Sequence, residues 1–347
     1  MRKKHIDSNP VSENGPAQMS IWRMMKLLIL LSLPLIAKAQ YGTFPFNNPA
    51  ELGKIHWLRD YDLALSEAKK KNLPVFILFQ EVPGCSNCKN YGHKVLSHPL
   101  IAEAIETHFI PLAVYNNMDG QDKKVLDKYK EPSWNNSVVR IVNSTGKDIC
   151  GREADFYHGS KTVAKIMEGI KLSGQTVPLY LQLLEAEWRA KDFKTTDTLF
   201  LAMYCFWSGE KEIADIEGVV ATEAGYMHGK EVVRVAYDKN VTSPDKIVQK
   251  AKQSNNADQV YGYLQSDTKT KFLPPGKYRK DADDKVYLRN SHYKIIPMSD
   301  LQKTKVNRSI AIGKNPEIWL SPRQLQILKS PDSRPDVTNQ NIEDIWY

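Results

Sequence analysis

An α/β chain built from two successive units is predicted by three features of the sequence. Between about Asn48 and Gly174, apolar or β-branched runs alternate with helical ones and close on a hairpin and a helix, a βαβαββα order. From Thr198 to Asp238 the order is strand, cysteine, helix, strand, strand. The chain has 347 residues, 41% of them hydrophobic and 25% charged, which is ordinary globular material in a length that allows two cores.

The amino-terminal stretch is of another kind. Residues Arg23 to Lys26 are basic, LLILLSLPLIA follows, and Ala37-Lys38-Ala39 supplies small residues around a cleavage point. This is the three-part pattern of a secretory signal over residues 1–39, so the mature chain is expected to be exported, periplasmic or secreted. The apolar run from Leu27 to Ala37 is shorter than the ~20 residues a membrane-spanning helix needs, so no stable insertion is expected once the signal is removed. The formal charge is +8, and the first 39 residues hold six basic and two acidic side chains of that balance. The remaining 42 basic and 38 acidic residues are spread along the chain. No basic stripe points to nucleic acid.

Within the first unit, residues 40–175, YDLALSEAKKKN is a helix carrying Leu63, Leu65 and Ala68 on its apolar positions. PVFILFQ is a fully buried strand bounded by Pro74 and Pro83-Gly84. KNYGHKVL and PLIAEAIETH are helices, FIPLAVY a strand, DGQDKKVLDKYK a helix and VVRIV a strand. A turn at Ser144-Thr145-Gly146, a short strand and the helix SKTVAKIMEGI complete the unit.

Directly behind the buried strand stands Cys85-Ser86-Asn87-Cys88. A C-x-x-C at the end of a strand and the start of a helix suits thiol–disulfide exchange: the helix N-terminus stabilises the first thiolate, and the second thiol closes a disulfide after attack. A structural disulfide in an exported protein is one alternative. A metal site is another, since Cys85, Cys88, His93 and His98 have loosely zinc-like spacing. The strand-then-helix context favours the redox pair and no bound metal, because His98 lies beyond the expected end of the helix.

The first unit resembles the thioredoxin-like domains, in particular the group whose motif reads VPG-C-x-x-C, here Val82 to Cys88. Thioredoxins place a cis-proline directly before the strand that faces the motif. The corresponding stretch here is Trp134-Asn135-Asn136-Ser137-Val138, with no proline in that place.

Residues 176–197 contain an amphipathic helix, VPLYLQLLEAEWRAKDF, expected to link the units, with Trp188 as a packing residue. The second unit, residues 198–265, opens on an apolar run ending at Cys205, with Phe206 and Trp207 behind it. SGEKEIADIEG has helical spacing of Ile213 and Ile216, and GVVATEAGY and EVVRVAYD are strands. A thiol at a strand-to-helix junction points at backbone N–H groups and a positive dipole end. Taken alone, a cysteine flanked by aromatics is more often a core residue, and a lone Glu231 more often a solvated edge residue.

Taken together, Cys205-Phe206-Trp207, Gly225-Tyr226, Glu231 to Val235 and Tyr237-Asp238 are similar, in order, to the peptide-methionine (S)-S-oxide reductases, whose fold is an α/β sandwich. The resemblance implies a nucleophilic Cys205 that attacks the sulfoxide sulfur and becomes a sulfenic acid. It implies Glu231 as the general acid for the departing oxygen, Tyr226 as a hydrogen-bond donor to it, and Phe206 and Trp207 as an apolar cup for the methyl group. The segment between Tyr226 and Glu231 is Met227-His228-Gly229-Lys230, shorter than in that family. Asp258, Tyr261 and Tyr263 are the candidates for its later acidic and tyrosine elements. Residues 266–347 form an extension, with SPRQLQILKS as a short helix and Pro322 in its first turn, expected to pack on the second unit.

Four cysteines are present: Cys85, Cys88, Cys150 and Cys205. The second unit lacks a thiol to resolve a sulfenic acid at Cys205, so Cys85, Cys150 or another protein must do so. The leading expectation is an exported repair enzyme acting on methionine sulfoxide in oxidised proteins. Cys85 and Cys88 would resolve Cys205, no cofactor would be bound, and an outside thioredoxin-type thiol donor would recycle the pair. The alternatives are a thiol–disulfide oxidoreductase whose second unit only binds clients, and a noncatalytic binding protein stabilised by a disulfide.

Overall fold

The computed structural model describes residues 48–135, 137–154, 158–253, 257–263, 269–329 and 334–345. The signal-like segment 1–39, and Asn136 in the stretch compared with the cis-proline position, lie outside them.

The first region runs α1 (Tyr61–Lys71), β1 (Val75–Gln80), α2 (Ser86–Tyr91), α3 (Pro99–His108), β2 (Ile110–Tyr115), α4 (Gln121–Tyr129), β3 (Val138–Val142), β4 (Glu153–Ala154) and α5 (Gly159–Leu172). Its four-stranded sheet has the order β2-β1-β3-β4, with β1 parallel to β2 and antiparallel to β3. Every residue of β1 is buried because both sheet faces are covered. Val75, Ile77 and Phe79 share a core with Ala64 and Ala68 of α1 and Val125 and Leu126 of α4. Phe76 and Leu78 point the other way, into a core with Ile105 of α3 and Ile166 and Ile170 of α5.

The second region runs α6 (Leu179–Asp192), β5 (Thr196–Met203), α7 (Phe206–Ile213), β6 (Val219–Met227), β7 (Lys230–Asp238), α8 (Pro244–Gln253) and β8 (Ala257–Tyr261). The extension adds β9 (Arg279–Lys280), α9 (Val286–Arg289), α10 (Asp300–Ala311), α11 (Pro322–Ile327) and α12 (Ile342–Ile345). Five antiparallel strands follow the order β8-β5-β7-β6-β9. On one face Leu199, Leu201, Val233 and Val235 bury against Phe206 and Ile213 of α7 and Ile247 and Val248 of α8. Both regions are thus α/β layers, as the strand and helix patterns predict.

Two organisational details differ from the sequence-based expectation. The helix over residues 177–193 is part of the first core, where Tyr180, Leu181 and Leu184 are buried. The extension also supplies a strand of the second sheet: β9 pairs with Gly225 and Tyr226 of β6. A Cβ on Gly225 would lie 2.4 Å from the Tyr278 ring and 2.6 Å from the Arg279 carbonyl oxygen, so that approach requires glycine.

The rest of the extension touches both regions, which lie in one compact unit, Phe46–Tyr347. Capping boxes at Ser299/Gln302 and Ser321/Gln324 start α10 and α11, and the side-chain amides of Gln302 and Gln324 bond each other at 2.9 and 3.0 Å. Ser321 Oγ donates at 2.5 Å, and the Arg323 amide at 2.7 Å, to the buried Glu103 carboxylate of α3. Ile342 is buried in the first core. Beneath the second sheet Lys285 is enclosed with Glu210 of α7 and Asp284, and Glu210 also accepts from Thr222 Oγ1 at 3.0 Å.

Candidate functional site

Helix α2 begins at Ser86, three residues earlier than KNYGHKVL implies, and a π-helical turn over Gly92–Leu96 continues it. Cys85 is therefore the residue immediately before the helix, in extended conformation, at the end where the first-turn N–H groups lack partners within the helix. Its Sγ lies 3.6 Å from Cys88 Sγ, and both thiols are free. Cys85 is exposed and Cys88 buried. The Cys88 amide, followed by the Cys88 thiol and the Asn87 amide, holds the Cys85 pKa below its ordinary value. Burial, reinforced by the hydrogen bond and charge of Cys85, pushes Cys88 up to about 12. An exposed thiol of lowered pKa beside a buried thiol of raised pKa is the division of labour that thiol–disulfide exchange uses.

The loop into the motif is fixed from two sides. The Gly84 amide donates to Glu51 at 2.8 Å and the Val82 amide to Asn117 Oδ1 at 3.1 Å. Buried Gln80 donates to the Glu51 and Cys88 carbonyls at 3.1 and 3.4 Å, and its own oxygen accepts from Ser137. A cis peptide is present at Val82–Pro83, inside the motif itself. His98 is buried against Trp188, 4.8 Å between ring centroids, and shares a cavity with His93, apart from the two sulfurs. Cys150 is a buried free thiol whose pKa is raised by desolvation.

In the second region Cys205 occupies the same kind of position, directly before α7. Glu231 Oε2 accepts from the Phe206 amide at 3.0 Å, so the carboxylate caps the helix one residue from the thiol. Tyr226 is the cross-strand partner of Glu231 in the β6–β7 hairpin. Its ring meets Phe206 edge-on at 5.4 Å between centroids, and Phe206 in turn packs on Trp207 at 5.4 Å. Burial, then the charges of Asp281 and Glu231, raise the Tyr226 pKa, so the phenol keeps its proton. Phe206 is buried in the core and supports the aromatic group from below, while Trp207 is partly exposed. Tyr204 is 91% exposed and with Glu231, Lys230 and Asp258 lines an open cleft of about 550 Å³.

The hairpin resolves the short segment before Glu231. His228 and Gly229 have φ of 51° and 74°, a two-residue turn with both central residues left-handed, which matches the twist of the flanking strands. The turn sets the register that brings Tyr226 opposite Glu231. A longer loop is not needed for that pairing. Of the later candidates, Asp258 pairs with Lys230 at 2.8 Å, Tyr261 stacks on His228 at 5.2 Å and donates to Gln259, and Tyr263 is 85% exposed. Only Asp258 lines the cleft.

Sequence reasoning missed Arg279, whose guanidinium lies 4.4 Å from the centre of the Tyr226 ring, and Asp281, whose negative charge faces the same phenol. Both belong to the extension. The only signal in the sequence was a tyrosine followed by charges, Tyr278-Arg279-Lys280-Asp281, in a stretch without hydrophobic periodicity.

Residues 56–134 match a family model described as thioredoxin-like. The first region is a thioredoxin-like domain. A peptide methionine sulfoxide reductase MsrA from Methanococcus maripaludis (strain C7 / ATCC BAA-1331) is 32% identical over 71 residues, 16% of this chain and 45% of that protein. The chain therefore spans less than half the length of that curated relative. A solved structure titled DsbH oxidoreductase is matched over 36% of this chain and 90% of its own, at 18% identity and a TM-score of 0.30.

Proposed function

We propose that this is an exported reductase of methionine S-sulfoxide in oxidised proteins, with a thioredoxin-like domain that resolves its catalytic thiol. The observation that carries the reading is the assembly around Cys205: a helix-terminal thiol, the Glu231 carboxylate on the next amide, and Tyr226 paired with Glu231 across the hairpin.

In this reading the Cys205 thiolate attacks the sulfoxide sulfur, Glu231 protonates the oxygen, and Tyr226 donates a hydrogen bond to it. The thioether leaves and Cys205 carries the oxygen as a sulfenic acid. Cys85 then attacks the Cys205 sulfur, water departs, and a mixed disulfide forms. Cys88 attacks Cys85, which frees Cys205 and closes the 85–88 disulfide, and an outside dithiol donor reduces that pair. The low pKa of exposed Cys85 suits the attack, and tethering both domains in one chain raises the local thiol concentration.

A second reading rests on the same pair: exposed Cys85 beside buried Cys88 is sufficient for a thiol–disulfide oxidoreductase whose second region only binds clients. Reduction of a methionine sulfoxide peptide decides between them. The first reading requires activity that is lost in Cys205→Ser and stalls after one turnover in Cys85→Ser. Activity that survives Cys205→Ser overturns it, and disulfide reduction lost in Cys85→Ser alone then supports the second.

A further inference from the structure

The thiol pair has a third neighbour with a ligand atom. Glu81, between the end of β1 and the motif, places a carboxylate oxygen beside both sulfurs, and the three ligand atoms all lie within 4.8 Å of one another. We propose that reduced Cys85 and Cys88, together with Glu81, form a binding site for a thiophilic divalent cation of the zinc type. The inference uses the first region alone and does not depend on the reductase reading of Cys205.

Three observations carry it. The first is distance. Two sulfurs bound to one tetrahedral ion by ~2.3 Å bonds stand about 3.8 Å apart. The thiols here stand 3.6 Å apart, close to that bridging separation and far from the ~2.05 Å of a disulfide.

The second is charge. Glu81, Cys85 and Cys88 bring a carboxylate and two potential thiolates together, ligand types that repel one another when ionised. A divalent cation reverses the sign of that effect, because the thiolates and the carboxylate then all face positive charge.

The third is preorganisation. The loop that carries the ligands is held by Glu51 on the Gly84 amide and by Asn117 on the Val82 amide, and α2 fixes Cys88 from the other side. Only the Glu81 side chain has to close by an ångström or so to reach bonding distance.

Binding takes both sulfurs as thiolates, so whatever thiol protons remain pass to solvent as two sulfur–metal bonds and one oxygen–metal bond form. The fourth position stays open to water beside exposed Cys85. An occupied site holds both sulfurs and blocks disulfide exchange until the ion is withdrawn. Once the ion is withdrawn, exchange with a client disulfide, which is reduced to two thiols, closes the 85–88 disulfide and removes the ligands.

The test is a titration of the reduced full-length protein with Co²⁺, whose tetrahedral thiolate complexes absorb intensely in the visible and near ultraviolet. The expected result is one equivalent of such a complex, displaced by Zn²⁺, missing from the disulfide form and from Cys85→Ser. In Glu81→Gln, with its circular dichroism unchanged, affinity should fall about tenfold or more, the range that even outer-sphere losses produce. Absence of thiolate–cobalt absorption in the reduced protein overturns the proposal. So does equal affinity in Glu81→Gln, or a complex that persists in Cys85→Ser.

Discussion

Tyr226 and Glu231 face each other across a two-residue hairpin, and Glu231 reaches from there to cap the helix that follows Cys205. One carboxylate thus serves the fold and the proposed chemistry together. Substitutions at residue 231 separate the two roles. Glu231→Gln keeps an oxygen to accept from the Phe206 amide but loses the transferable proton. It should lower kcat/KM for a methionine sulfoxide peptide by about a hundredfold or more with little change in Tm. Glu231→Ala should also lose about 1 kcal/mol of stability through the missing cap, read from urea denaturation.

The turn itself is a second point of failure. Gly229 sits at φ 74°, where a side chain costs roughly 1–2 kcal/mol. Gly229→Val should reduce sulfoxide turnover by disturbing the register of Tyr226 and Glu231, while reduction of a disulfide substrate by Cys85 and Cys88 stays at the wild-type rate. Equal loss of both activities would show that the turn matters for global folding and not for register.

The cysteines should differ sharply in reactivity. With the Cys85 pKa lowered and Cys88 pushed up to about 12, iodoacetamide at neutral pH should label Cys85 first, leaving Cys88 and buried Cys150 intact. Peptide mapping by mass spectrometry reads the order. Preferential labelling of Cys88 would contradict the assignment of attacking and resolving thiols.

Lys285 is enclosed with Glu210 and Asp284 under the second sheet. Removing one partner leaves a buried charge uncompensated, so Lys285→Met should destabilise the protein by about 3–5 kcal/mol. The double variant Lys285→Met/Glu210→Gln should recover part of that loss in the same urea titration.

Glu187 on α6 accepts from the Leu301 amide at the start of α10, at 3.2 Å. Burial raises its pKa to about 7, above the ordinary carboxylate value near 4.5. The folded protein therefore holds a proton there that the unfolded chain releases, so this contribution to stability is complete below about pH 4.5 and declines as pH rises to about 7. The decline amounts to at most about 3 kcal/mol, and Glu187→Gln should flatten it in denaturation curves taken between pH 4.5 and 8.

The first region was legible because its signals are local. The fully apolar run around Phe76 to Phe79, the turn at Ser144 to Gly146 and the cysteines at the strand end each report their own structure. Cys205, Tyr226 and Glu231 were legible for a different reason: a cysteine motif and two strands occur in a recognisable order. Arg279 and Asp281 were not, since β9 is two residues long and exists only because Gly225 lets it approach. Glu81 was not legible because its meaning depends on where the loop folds back toward the sulfurs, whereas spacing alone singles out His93 and His98.

The reach of Ile342 into the first core has a consequence for the order of events during synthesis. A chain made from its amino terminus folds early segments as they emerge, at about 5–20 residues per second. The first region cannot reach its final packing in that interval, because Ile342 and the Ser321 and Arg323 bonds to Glu103 come from segments made only after the whole of the second region. Until then the Glu103 carboxylate of α3 lacks its Ser321 and Arg323 donors and the first core lacks Ile342. Segments remote from both cysteine motifs therefore complete the packing around the first of them.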